Sequence, residues 1–193
     1  MRSRRLLFAG FVSVAALVGC GGETAKTTEM SIRAKLNPFE FEKSKADLVE
    51  MGEKAFPSYE AILADRSTNP YDVVRIFEVL GEVKADRGRF LETVVQRAAD
   101  PEPAVRAAAA KLLGKIGGVA EGPPLVALLS NKDAEVVKAA AASLAAIGGS
   151  RELVAMDAWM LGLAHDKNPT LRADVKKSRD ALAERVAKEP KKK

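Results

Sequence analysis

Residues 100–118 read DPEPAVRAAAAKLLGKIGG, and within them the apolar positions Val105, Ala108, Ala109, Leu112, Leu113 and Ile116 fall three and four apart. That spacing places them on one stripe of a helix. Asp100 stands where a carboxylate can accept from the free N–H groups of a helix start, and Pro101 and Pro103 are tolerated only in a first turn, where no N–H bond is lost. Gly117 and Gly118 then predict a left-handed C-terminal stop. The alanines make the helix thin, so a neighbour can approach closely. A lone helix cannot bury such a stripe, so stacked partners are implied.

The pattern returns 31 residues later as NKDAEVVKAAAASLAAIGG. At that shift the pairs Val105/Val136, Ala108/Ala139, Ala109/Ala140, Ala110/Ala141, Leu113/Leu144, Ile116/Ile147, Gly117/Gly148 and Gly118/Gly149 are identical, eight matches in fourteen positions. A looser register runs further out. Leu48, Leu80, Leu113 and Leu144 are spaced by 32, 33 and 31, and each is followed three residues on by Met51, Val83, Ile116 or Ile147. Second apolar segments lie between these helices and end at Asp65, Asp100, Asn131 and Asp166, each placed to cap the next first helix. A helix–turn–helix unit with a period of 31 to 35 residues predicts an all-α fold, an α-solenoid of stacked antiparallel helix pairs with about four to five repeats.

The phrase D-P-x-P-x-V-R-x-A-A-A-x-x-L-G-x-I-G, at residues 100–117, resembles the HEAT-like repeats, in particular the short variety also found in phycobilisome lyases, over residues 37–187. Tetratricopeptide and ankyrin signatures are missing from every unit. The resemblance implies a ladder in which an Asp before the first helix and an Arg inside it link successive repeats. Asp100 with Arg106 and Asp166 with Arg172 match it, whereas Asn131 is followed by Val137 and Asp65 by Arg75, ten residues on. It also implies that the second helix of each pair lines the concave side, which makes Arg89, Glu92, Gln96, Arg97, Glu152 and Asp157 candidate partner contacts.

Along the chain, residues 1–19 read as a signal peptide. Arg2, Arg4 and Arg5 precede an apolar run of thirteen at residues 6–18, short of the ~20 residues a spanning helix needs. Leu17-Val18-Gly19-Cys20 resembles the bacterial lipobox, which implies cleavage before Cys20 and its acylation. Gly21, standing where a retention Asp could be, favours by the same resemblance the periplasmic side of the outer membrane. Cys20 is the only cysteine, so no intramolecular disulfide can form. Residues 21–36 are small and polar at first with little periodicity and are expected to be a flexible tether from the lipidated Cys20. Within 37–187 the first helix has sparse apolar positions, Phe41, Leu48 and Met51, as an N-terminal cap should. A last helix after Pro169 carries Leu171, Val175, Ser178 and Leu182 inside with Lys176, Lys177, Arg179 and Arg185 outside, and residues 188–193 form a basic tail expected to be disordered.

Charge changes the picture only slightly. The chain has a formal net charge of +5, but loss of residues 1–19 removes three Arg and no acid and leaves 28 basic against 26 acidic groups, a formal +2. No nucleic-acid partner is expected from so even a balance in a secreted protein. The basic stretch 167–193 reads as a solvated cap, and Trp159 and Met160 as core beside Met156 and Leu163. His165 is the single histidine, so neither a His–His metal pair nor a Cys–His–Asp set can be assembled, and the Gly pairs lack the Gly-x-x-x-x-Gly-Lys context of a phosphate loop. No cofactor, metal or catalytic residue is expected, and a phycobilin-lyase-like activity finds no support in the residues. The sequence thus points to a lipid-anchored module of the bacterial cell envelope that binds or scaffolds another protein. An accessory subunit that completes or regulates a partner enzyme and a structural protein contacting the cell wall are the alternatives.

Overall fold

In the computed structural model the described residues are 20–162 and 168–189. The putting together of short amphipathic segments separated by Gly, Pro and Asx residues gives α1 (Cys20–Lys35), α2 (Phe41–Met51), α3 (Phe56–Ala64), α4 (Pro70–Leu80), α5 (Leu91–Arg97), α6 (Pro103–Ile116), α7 (Gly122–Leu128), α8 (Ala134–Ile147), α9 (Ser150–Leu161) and α10 (Pro169–Lys188). Short 3-10 turns at Gly52–Ala55, Gly88–Phe90 and Val119–Glu121 lead into α3, α5 and α7. Among the described residues there is no strand. The expected all-α stack of helix pairs is the fold.

The helices form two layers. First helices α2, α4, α6, α8 and α10 pack side by side along the whole stack, while among second helices only α1 with α3 and α7 with α9 approach to a comparable degree. The register read from the repeat is the register of the core: Leu48, Leu80, Leu113 and Leu144 are all fully buried. Tyr59 lies beneath α2 and donates its hydroxyl to Leu48 O at 3.2 Å. Burial pushes its phenol up to about 12. Phe56 and Phe90 meet edge to face with ring centroids 5.0 Å apart, tying α3 to the turn before α5.

Residues 21–36 are not a flexible tether. α1 occupies nearly all of them, Ile32 and Leu36 are fully buried, and α1 packs on α3 as a second helix packs on its successor. Arg75 on α4 donates to Leu36 O at 2.9 Å, so the end of α1 is held by the next repeat but one. The stack therefore has a half-repeat at each end, α1 as a second helix without its first and α10 as a first helix without its second. Two apolar side chains one turn apart suffice to dock α1, too few to raise a periodic signal among its polar residues.

The repeated Asp or Asn does not cap the next helix as expected. Asp65, Asp100 and Asn131 each accept, through Oδ1, the N–H two residues on, at 2.9, 3.0 and 3.0 Å. Asn37 does the same before α2. These are Asx turns, and they bend the chain from one layer to the other. Helix capping falls to later residues: Asn69 bonds Tyr71 N, Asp133 bonds Glu135 N and Val136 N, and Asn168 bonds Leu171 N.

The glycine pairs stop helices by a different route from the left-handed one. Gly117 and Gly148 have φ of −86° and −64° with extended ψ. A Cβ on either would lie 2.7 Å from the carbonyl oxygen of Leu113 or Leu144. What requires glycine is the close return of the chain over its own last turn. Gly118 and Gly149 then donate N–H to the carboxylates of Glu121 and Glu152, at 2.6 and 2.8 Å, so the copies carry one capping box each.

Candidate partner-binding groove

On the outward face of the first-helix layer, α4, α6 and α8 enclose a groove of about 660 Å³. Its walls are apolar in the middle, with Val74 and Phe77 from α4, Ala107, Ala108 and Leu112 from α6, and Ala139, Ala142 and Ala146 from α8. The cause is visible in the helices. An exposed helix face ordinarily carries charge, yet Ala104, Ala142 and Ala146 are exposed and apolar. The floor is thin because α6 and α8 nearly touch: a Cβ on Gly114 would lie 2.8 Å from Ser143 Cβ, and Ser143 Oγ donates to Ala110 O at 2.7 Å.

Charged residues form the rim. Lys45 on α2 lies 2.7 Å from Glu82 and 4.0 Å from Glu78, which reaches the groove from α4. The Lys45–Glu82 bond holds the ammonium above the ordinary lysine range and the carboxyl below the usual carboxylate range. On α8, Lys138 pairs with Glu135 at 2.5 Å. Lys111 and Lys115, one turn apart on α6, are exposed between these two pairs.

The candidate contacts read from the sequence lie elsewhere, on the second-helix layer. Arg89 makes a two-pronged bond to Glu60, 2.6 and 2.8 Å, with its guanidinium 5.9 Å from the Phe56 ring centroid. Glu92 and Gln96 are exposed and face each other at 3.4 Å. Asp157 accepts from Arg179 at 2.6 Å, which fixes α9 to α10. Arg97 and Glu152 are spent internally. Arg97 bonds the Asp100 carboxylate and the Leu63 carbonyl, both at 2.8 Å, and so ties α5 back to the end of α3. Glu152 is only 6% exposed, in its capping box.

Nor does Arg106 reach an aspartate of another repeat: it donates to the carbonyls of Asp100 and Pro101, both at 2.8 Å, while the Asp100 carboxylate is taken by Arg97. The link between repeats runs instead through C-terminal carbonyls, which favour cationic and N–H donors. Leu36 O receives Arg75, Leu63 O receives Arg97, and Leu129 O receives the Trp159 indole at 2.7 Å. Arg185, expected outside, turns in to bond Gly148 O and Ala145 O at the end of α8. Trp159 packs against the core as expected. Arg172 approaches Met160 O at 3.4 Å, while its expected partner Asp166, with His165, Leu163, residues 1–19 and the last residues of the tail, lies outside the described residues.

Among the described residues no cluster of His, Cys, Asp or Glu is arranged to hold a metal ion, and no helix is long and apolar enough to cross a membrane. The architecture of stacked helix pairs defines an α-solenoid. The HEAT repeats family matches the chain twice, at residues 60–146 and 91–178, and the chain belongs to that family. No curated protein matches it.

Proposed function

We propose that this protein is a non-catalytic scaffold of the bacterial cell envelope, anchored by lipid at Cys20, that binds another protein in the groove across α4, α6 and α8. The observation that carries the binding face is the groove itself. It is the stretch of first-helix surface where alanine replaces the charges a solvated face would carry, next to the closest helix contact in the stack. HEAT repeats suit such a role, because their stacked units offer a continuous surface and hold it by nearest-neighbour contacts. The lipobox-like residues 17–20 support the anchor. Two or three acyl chains, at ~0.8 kcal/mol for each buried CH₂, hold a domain stably at a membrane. With α1 running from Cys20 to a docked Leu36, the anchor leads into a helix of about 24 Å, at 1.5 Å per residue. The solenoid is then held at a short and fixed distance from the lipid.

The anchor is tested by the intact mass of the protein extracted from membranes. The expected mass is that of residues 20–193 plus acyl chains; an unmodified full-length chain, or one cut elsewhere without lipid, overturns it. Binding is tested by cross-linking in the native envelope. Ala142→Arg puts a long cation into the groove from an exposed helical position and leaves the melting temperature within about 2 °C, as surface changes generally do. It is expected to abolish the major cross-linked product, whereas Gln96→Ala on the opposite layer leaves it intact. The reverse pattern would move the binding face to the second helices. A product unaffected by either change, or a catalytic protein found stoichiometrically with the solenoid, would replace scaffold by another role.

A further inference from the structure

The groove also carries information about what fills it. Its floor is a run of small side chains, Ala107, Ala108, Ala139, Ala142 and Ala146, over the Gly114–Ser143 contact, so a docking element can bring its backbone near and insert bulky apolar side chains. Its length follows three parallel-layer helices, and its section is that of one further helix laid across them. The charges decide the rest. Glu78 faces Lys45, Glu135 is bonded to Lys138, and Lys115 acts on Glu82 through space. Asp174 of α10 acts on Lys138 from the far side. Lys111, midway along α6, is the one charge lining the groove that meets no opposite charge among the described residues.

We propose that the occupant is an amphipathic helical segment of a partner protein, with large apolar side chains toward the alanine floor and a carboxylate placed against Lys111. The inference rests on the groove being the binding face. A carboxylate there completes the charge pattern of the wall, and a cation would be repelled in a partly desolvated site, where such pairing is felt more than on an open surface. The apolar floor supplies the attraction and Lys111 the selection.

A panel of synthetic helix-forming peptides of about eighteen residues tests this, each with the same leucine stripe and with Glu, Gln or Lys at one mid-helix position flanking the stripe. Fluorescence anisotropy is measured on the full mature chain. The Glu peptide is expected to bind about tenfold more tightly than the Lys peptide, with Gln between, and the difference should shrink as salt rises. Lys111→Glu, an exposed position, should invert the order without changing the melting temperature. Ala142→Arg should abolish binding of all three. Equal affinity for Glu and Lys peptides, no inversion with Lys111→Glu, or no binding at roughly millimolar peptide would overturn the acidic-helix occupant. If cross-linking in the envelope nonetheless remains sensitive to Ala142→Arg, the groove stands as the binding face and only the chemistry of its occupant is wrong; if both fail, so does the face.

Discussion

Leu113→Asp or Leu144→Asp is expected to unfold the stack. Both leucines have no exposed surface, and they occupy the same position in α6 and α8, the two helices in closest register. No cation lies in that seam to pair with a new carboxylate; Lys111 and Lys138 point into the groove on the outer face. An aspartate there loses the transfer energy of a leucine and adds an unpaired buried charge, together roughly 4 kcal/mol or more. Against a total stability on the order of 5–15 kcal/mol, that is a large fraction. The geometry of the array worsens it, since each helix pair is held only by its neighbours and a broken middle unit frees both flanks. Lys138→Ala serves as the control. Its exposed pair with Glu135 is worth less than about 1 kcal/mol, so the change should be nearly silent. Thermal melting followed by circular dichroism should show the aspartate variants unfolded, or at least about 10 °C less stable, beside an unchanged Lys138→Ala. Equal melting temperatures for the two classes would mean that the helical register is wrong.

That register could be read from the sequence because two constraints coincide. Helical period and stacking both demand a leucine at positions 48, 80, 113 and 144, so the signal is repeated four times in one chain. Where a single constraint acts, the sequence is quieter. α1 is docked by Ile32 and Leu36 alone, and its polar remainder looks like a tether. Glu152 looks like a solvated contact residue, although Gly-Gly-x-x-Glu occurs at 117–121 and again at 148–152, and that spacing is what a capping box needs. Arg97 and Arg185 look equally solvated, and only the folded stack brings the Leu63 and Gly148 carbonyls to them. The groove was the least legible part. Charged residues on the second helices draw attention as contacts, whereas the groove is marked by alanines on an outward face, a deficit of charge that is visible only once inside and outside are known.

The closest approach between α6 and α8 should tolerate no side chain at position 114. A Cβ on Gly114 would lie 2.6 Å from Ser143 Oγ and, more tellingly, 2.9 Å from Ser143 Cα, so rotating the serine away does not make room and the helices must separate. Two effects oppose each other in Gly114→Ala. Replacing a helical glycine gains about 1 kcal/mol of propensity, while overpacking a fixed seam costs about 1–3 kcal/mol, so a net loss is expected. Gly114→Val adds a branched side chain against the same backbone and should cost about 3 kcal/mol, as large as deleting a core methyl cluster. Separation of α6 from α8 also removes the Ser143–Ala110 bond and opens the groove floor, so binding in the groove should weaken in parallel. Ser143→Gly alone loses that bond and helix propensity, about 2 kcal/mol. If the clash is the cause, Gly114→Ala combined with Ser143→Gly should be at least about 1 kcal/mol more stable than the sum of the single losses, because the serine is no longer there to be struck. Chemical denaturation of the four proteins measures that coupling. Additive losses, or a Gly114→Val variant as stable as the parent, would show that the two helices do not meet through these two residues.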